Sequence, residues 1–278
     1  MSNRNLNRAK REKNDEFYTQ YIDIEKECQH YVDHFKDQWI YLPCDSEESN
    51  FWKYFVDHFH EYGLKRLTAT HINLDGLPSY RLDYDGSDTI KTALQGNGDF
   101  RSDACIELLK ESDIVVTNPP FSLFREFVAT LEKYNKKYLI IGNMNAITYK
   151  DIFPLIKENK MWLGVSITSG DRKFNVPADY KLEAAGCGID ADGKKFIRVK
   201  GVRWFTNLEH TKRHEQIDLY KHYNPEEYPK YDNYDAIEVS KTCNIPMDYE
   251  EERIVTEDEL IKLKEQGFDV EIIEEYNN

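Results

Sequence analysis

The stretch from Ser112 to Phe124, SDIVVTNPPFSLF, constrains the fold more than any other in the 278-residue chain. Ile114, Val115 and Val116 form a short apolar β-branched run, the pattern of a strand covered on both faces of a parallel sheet. Asn118-Pro119-Pro120 ends it, because two prolines remove two backbone donors and fix φ, so the ladder cannot continue. A residue before proline is pushed towards extended geometry. Asn118 should then project from the carboxyl end of a central strand, where open α/β sheets bind ligands. Ser122 is a candidate cap for a helix whose Leu123, Phe124, Phe127, Val128 and Leu131 share one face.

This arrangement has a specific chemistry. The Asn118 side-chain carbonyl and the Pro119 backbone carbonyl can together accept both hydrogens of an exocyclic amine. Phe121 offers a ring on which a flat base can stack. An amine held by two acceptors is steered towards tetrahedral geometry, with its lone pair free to attack an electrophilic methyl group. Asn118-Pro119-Pro120-Phe121 resembles the Asn-Pro-Pro-aromatic motif of amino-methyltransferases that use S-adenosylmethionine. The plain alternative is a proline-terminated strand followed by a core phenylalanine.

The length suits one large domain or a core with a smaller module. With 40% hydrophobic and 13% aromatic residues the chain can bury a real core, which excludes wholesale disorder. No apolar run has membrane-spanning length and the basic, polar start lacks a signal peptide, so a cytoplasmic protein is expected. The five cysteines are scattered without a CxxC pair, which fits reduced thiols and no zinc site. The net charge of −14 argues against a nucleic-acid partner until its distribution is considered. Residues 248–278 carry 12 acidic against 3 basic residues, so most of the excess sits in the tail. Residues 160–215 carry 11 basic against 7 acidic, and the first 13 residues 5 against 1, enough for local phosphate contacts.

Residues 1–14 are polar and basic and suit a flexible arm, whether it contacts DNA or is simply disordered. DEFYTQ follows, ahead of a helix with Ile24, Cys28, Tyr31, Val32 and Phe35 inward. Phe17-Tyr18-Thr19 resembles the Phe-Tyr-Thr element near the start of many adenine methyltransferases, which holds the methionine end of the cofactor. Read alone, Thr19 is a helix cap and Phe17 a staple. The first strand, Trp39–Leu42, runs into a turn with none of the glycines usual at nucleotide sites. Asp45, Ser46, Ser49 and Asn50 occupy it instead; Asp45 is a candidate acceptor for the cofactor's ammonium, and the bland reading is a polar loop capping the next helix. That helix carries Phe51, Phe55 and Phe59 and ends at Gly63.

The second strand, around Leu67–Ala69, leads to Thr70-His71, where an acid for the ribose hydroxyls is missing and Asp75 is a distant substitute. His71 is read as structural, and residues 72–98 resist assignment. Asp99-Phe100, one helix before the Asn-Pro-Pro strand, resembles the third motif of these enzymes, with Asp99 accepting from the cofactor adenine and Phe100 packing on its ring. Ser102 is a cap for the intervening helix. Tyr138–Ile141 is another buried parallel strand; Asn143 and Asn145 after it either line a base pocket or satisfy the loop. Pro154 limits a helix over Ile152–Lys157, and Met161–Val165 is a further strand.

From Ser166 the texture changes. Asp192-Gly193 marks a turn, and Phe196–Val199 and Val202–Phe205 read as an antiparallel pair flanking Gly201 that closes the sheet. Lys194, Lys195, Arg198, Arg203, Lys212 and Arg213 make this the most basic region. Tyr220–Tyr234 is rich in tyrosine and proline with little periodicity, and Thr256–Ile273 fits a helix and a strand.

As a set, DEFYTQ, CDSEESNFWKYF, GDFRSDACIELLKESDIVVTNPPFSLFREF, KKYLIIGNMNAITYK, GVRWFTNLEH and YNPEEYPKYDNYDAIEV resemble the EcoRI-type adenine-specific DNA methyltransferase family over residues 14–246. The resemblance implies an α/β, Rossmann-like class I methyltransferase fold with a mixed, mostly parallel sheet and a C-terminal recognition extension. It divides the chain into an arm (1–14), a catalytic core (15–165), closing strands with a DNA-recognition region (166–247) and an acidic extension (248–278). It implies S-adenosylmethionine as donor and N6 of a flipped-out adenine in double-stranded DNA as acceptor, in a monomer without metal. Asn118, Pro119, Pro120 and Phe121 would hold the base. Asp99, Phe100, Asp45, Ser49, Asn50, Phe17, Tyr18 and Thr19, with Asn118, would surround the cofactor. Asn143, Asn145 and the basic residues would meet DNA. Other planar amines or amides (RNA adenine, cytosine N4, a protein glutamine) stay open as acceptors, as does a catalytically silent DNA-binding or DNA-mimicking protein.

Overall fold

The apolar strands of the sequence build the centre of the molecule. A computed structural model describes residues 18–73, 79–176, 178, 180, 182, 186–215, 218–232, 237–241, 244–249 and 261. The chain forms two compact units, Met1–His214 and Glu215–Asn278. The arm at 1–14, Phe17, Asp75 and nearly all of the acidic tail lie outside the described residues. Among the described residues no helix is long and apolar enough to cross a membrane.

The first unit begins with β1 (Tyr18–Thr19), α1 (Tyr21–Cys28), α2 (Val32–Phe35), β2 (Trp39–Leu42), α3 (Asn50–Asp57) and β3 (Arg66–Thr70). It continues with β4 (Tyr80–Tyr84), β5 (Thr89–Ala93), α4 (Asp103–Glu111), β6 (Ile114–Thr117), α5 (Phe124–Lys133) and β7 (Lys137–Asn143). Last come α6 (Phe153–Lys157), β8 (Trp162–Leu163), β9 (Asp171–Asn175), β10 (Gly188–Ile189), β11 (Lys195–Lys200) and β12 (Val202–Thr206). The result is a mixed α/β architecture with an eight-stranded sheet, β5-β4-β3-β2-β6-β7-β12-β8, and a four-stranded sheet, β1-β9-β11-β10.

In the large sheet β3, β2, β6 and β7 are parallel neighbours. Alternate residues serve two separate cores, as period-2 geometry requires. Ile40, Leu42, Ile114, Val116, Leu139 and Ile141 join the core containing α3, whereas Tyr41, Val115, Tyr138 and Ile140 join that of α4 and α5. From β2 the chain goes to β3 on one side, then returns to β6 on the other. That reversal makes the β2/β6 boundary a topological switch point, where the carboxyl ends of an open α/β sheet leave a crevice.

Several local expectations hold and others change. Ser49 and Ser102 cap α3 and α4 by accepting from the amides of Trp52 and Cys105. β12 runs antiparallel to β7, with β8 beyond it at the edge, whereas the helix expected to run to Gly63 stops at Asp57, with Phe59 outside it, and turns lead on to Gly63 at φ +62°. Ser122 is not a helix cap: a 3-10 turn, Phe121–Leu123, intervenes before α5. The single helix expected through Phe35 is broken, because Tyr31 leaves helical geometry and brings its hydroxyl to Glu27 at 2.9 Å. The unassigned 72–98 connection contains the β4–β5 hairpin, which extends the sheet antiparallel to β3. The expected β11–β12 pair does not form. Gly201, at φ +71°, turns the chain so that β11 stays in the small sheet and β12 enters the large one.

Glu27 fixes the passage between the two sheets. It is fully buried and accepts from the amides of Val165 at 2.8 Å and Ser166 at 2.7 Å. Those amides are diverted from a ladder, which shortens the expected 161–165 strand to β8. In the second unit residues 220–232 are irregular, with isolated bridges Lys221–Pro246 and Lys230–Ile237. Replacing Glu27 by Ala leaves several buried donors unanswered and should destabilise the protein by about 3 kcal/mol in urea unfolding. A loss below about 1 kcal/mol would contradict this anchoring role.

Candidate active site

At the carboxyl ends of β2, β3 and β6 lies a cleft of about 850 Å³, its open mouth included. Thr19, Asp45, Asn50, Asp99, Phe100 and Asn118 all border it, bringing together residues from three of the sequence blocks. Tyr18 and Ser49 border it too.

The glycine-free turn after β2 is held by β3. The Asp45 amide donates to the Thr70 carbonyl at 2.9 Å, and the Thr70 hydroxyl lies 2.7 Å from that of Tyr41. Asp45 is itself only 6% exposed. The Thr117 hydroxyl donates to Asp45 Oδ2 at 2.6 Å. Burial pushes the Asp45 carboxyl up to about 6, against hydrogen bonds from Thr117 and Ser49 that pull it down. Asn50 donates to the Thr19 carbonyl at 2.7 Å and so ties β1 to the same turn. The Thr19 hydroxyl is buried and has no hydrogen-bond partner among the described residues.

The opposite wall is set by a glycine. Gly98 has φ +79°, and a Cβ there would stand 2.0 Å from the His71 carbonyl oxygen. No side chain fits, and the backbone delivers Asp99 and Phe100 to the cleft. Arg101 grips Asp99 through Nε at 2.8 Å and Nη2 at 2.5 Å, which holds the Asp99 carboxyl below its usual value. Phe100 is fixed edge-to-face on Phe127, with ring centroids 5.0 Å apart.

Asn118 reaches the cleft half-buried, with Pro119 buried behind it. Phe121 does not line the cleft; it is 5% exposed and meets Phe174 of β9 edge-to-face at 6.5 Å. His71 does line it, at the end of β3 where the ribose acid was expected, and burial lowers its pKa, with Lys91 adding to the effect. Gly98 and Thr117 were not singled out from sequence. The position just after a parallel strand was the available signal for His71, and the Gly-Asp-Phe order for Gly98.

The candidates for DNA contact separate into two groups. Lys194, Arg198 and Lys212 are exposed. Arg203 is buried, with its guanidinium on the carbonyls of Val202 and Thr168. Lys195 donates to the Tyr180 carbonyl, and Arg213 pairs with Glu209 and lies over the Trp162 ring at 3.8 Å. Asn143 bridges the Lys200 carbonyl and the Asn145 amide, and neither asparagine lines the cleft.

Known proteins give this geometry a context. The family model described as "Adenine-specific methyltransferase EcoRI" matches residues 5–275. The chain is 47% identical over 268 residues to the Type II methyltransferase M.EcoRI of Escherichia coli, covering 89% of this chain and 82% of that protein. It is 43% identical over 249 residues to the Type II methyltransferase M.MpnI of Mycoplasma pneumoniae, covering 88% and 77%. No solved structure matches the chain. The chain therefore belongs to the EcoRI family of adenine-specific methyltransferases, and is an enzyme of that class.

Asp45 generates a pH prediction. Its native pKa of about 6 stands above the ordinary 3.8, so between those values the native state holds the extra proton. Stability of the ligand-free protein should therefore fall as pH rises from about 4 to about 7, and Asp45→Asn removes that component. The wild-type minus variant difference in urea unfolding free energy should shift by up to about 3 kcal/mol across this range. Parallel profiles would contradict a buried, titrating carboxyl.

Proposed function

We propose that this enzyme transfers a methyl group from S-adenosylmethionine to N6 of an adenine turned out of double-stranded DNA. The observation that carries the reading is that Asn118, from the Asn-Pro-Pro turn, borders the same cleft as Asp45 and Asp99. The four parallel strands with their switch point between β2 and β6 support a Rossmann-like class I fold for the core.

The residues present fit the cofactor by their chemistry. Asp45 supplies a carboxyl for the ammonium, and the Thr19 hydroxyl supplies a buried polar atom without a partner among the described residues for the same end. Asp99, held ionised by Arg101, accepts from the adenine amine, and Phe100 flanks the ring. Tyr18, Ser49 and Asn50 flank Asp45, and His71 borders the cleft at the end of β3, where the ribose would be expected. Bound there, S-adenosylmethionine supplies an electrophilic methyl group.

The chain's own contribution is alignment. The Pro120 carbonyl is committed to the Leu123 amide at 2.9 Å, so the backbone acceptor for the target amine is Pro119, paired with the Asn118 side chain. Two acceptors on one amine hold both hydrogens and leave the lone pair directed at the donor. A base stacking on Phe121 must open the Phe121–Phe174 contact. The adenine must also leave the duplex, at a cost of a few kcal/mol. Lys194, Arg198 and Lys212 are the exposed cations for the deformed duplex, Lys212 while also donating to the Val165 carbonyl, whereas Lys195, Arg203 and Arg213 serve local structure. Asn143 and Asn145 shape the loop after β7. The enzyme is taken to act as a cytoplasmic monomer, with residues 166–247 in recognition.

Incubation with methyl-labelled S-adenosylmethionine and mixed-sequence duplex DNA should yield labelled N6-methyladenine on nucleoside analysis. Label in another nucleoside, or none with the cofactor bound, would overturn the choice of acceptor. Asn118→Ala should lower turnover by about 10²–10³-fold while cofactor affinity stays within a few fold. Equal loss of both would remove Asn118 from the amine.

A further inference from the structure

Thr117 joins the two halves of the cleft. It is the last residue of β6, its backbone sits in the β6–β7 ladder opposite Ile140, and it is fully buried. Its hydroxyl crosses to the neighbouring turn and donates to Asp45 Oδ2 at 2.6 Å, a bond between residues 72 positions apart. A carboxylate accepts through two oxygens. With Oδ2 taken by Thr117, the orientation of the carboxyl plane is set from one side. The next residue along the chain is Asn118, which borders the same cleft.

We propose that Thr117 is a positioning residue that locks Asp45 to the strand carrying Asn118, so that the cofactor's ammonium and the target amine are held in one frame. This rests on the reading that Asp45 receives the ammonium and Asn118 the amine. Two features of the site make the lock effective. The Asp45 amide is fixed to Thr70, so the turn cannot slide along β3. Pro119 and Pro120 immediately follow Asn118, so the strand end that Thr117 belongs to is conformationally narrow. Donor and acceptor positions therefore depend on adjacent residues of one rigid strand tip. A loss of the Thr117 hydroxyl would leave the carboxyl held only by Ser49 of its own turn and untie it from β6 without removing it.

The test compares S-adenosylhomocysteine, which carries the ammonium, with 5′-methylthioadenosine, which lacks the amino-acid end. Their dissociation constants are measured by calorimetry for wild type, Thr117→Val and Thr117→Ser. Wild type should prefer S-adenosylhomocysteine. Thr117→Val, similar in shape but without the hydroxyl, should weaken S-adenosylhomocysteine by about 10-fold or more and leave 5′-methylthioadenosine within about 2-fold. Thr117→Ser, which keeps a hydroxyl, should restore most of the preference. Equal weakening of both ligands would mean that the substitution disturbs the fold, and retention of the full preference in Thr117→Val would show that Asp45 needs no such hold; either overturns the proposal. If wild type itself shows no preference, or if Asp45→Asn leaves the preference intact, the assignment of the ammonium to Asp45 fails first.

Discussion

Ile40 pairs with Ile114 and Tyr41 with Val115, and this short parallel ladder carries two turns distant in sequence to one point. The turn after β2 delivers Asp45 and the turn after β6 delivers Asn118. Parallel strands expose their carboxyl ends together, so loops from separate crossovers meet there without special arrangement. Both strands are buried on both faces, and their residues alternate between two cores. The cleft is thus mounted on the least deformable part of the molecule, which is what a reaction governed by alignment requires.

The cleft sets two carboxyl groups against each other electrostatically. Among the described residues Asp45 meets hydroxyls rather than a cation, and burial raises its pKa. Asp99 is clasped by Arg101, which also reaches Glu126 on α5, and its pKa is lowered. An unpaired buried acid is costly until a cation arrives, whereas a paired acid is an acceptor that stays ionised. That division suits a ligand with an ammonium at one end and a neutral amine at the other.

What could be seen in the sequence follows from burial. β2, β6 and β7 are apolar on both faces, so they stand out, and Asn118 follows directly from the prolines that end β6. The β4–β5 hairpin escaped because β5 is exposed at every position and TIKTA carries no alternation. Arg203 counted as a surface cation in the composition, but all five residues of β12 are buried, and a backbone carbonyl cage takes its guanidinium. Gly201 suggested a hairpin, and only the register shows it as a crossing between sheets. Among site residues, Asp45, Asp99, Phe100 and Asn118 were legible from their positions after strands or before a helix. Thr117 was not, because a threonine closing a β-branched strand looks like propensity until the neighbouring turn is in place.

One cleft, between the ends of β2 and β6, lies beside the Asn-Pro-Pro turn, and the proposed reaction requires that the methyl donor bind there. A crystal structure of the enzyme with S-adenosylhomocysteine tests it directly. The expected result is the ligand's ammonium at Asp45, its adenine between Asp99 and Phe100, and its sulfur on the side of Asn118. A ligand bound outside this cleft, or with its sulfur turned away from Asn118, would contradict it.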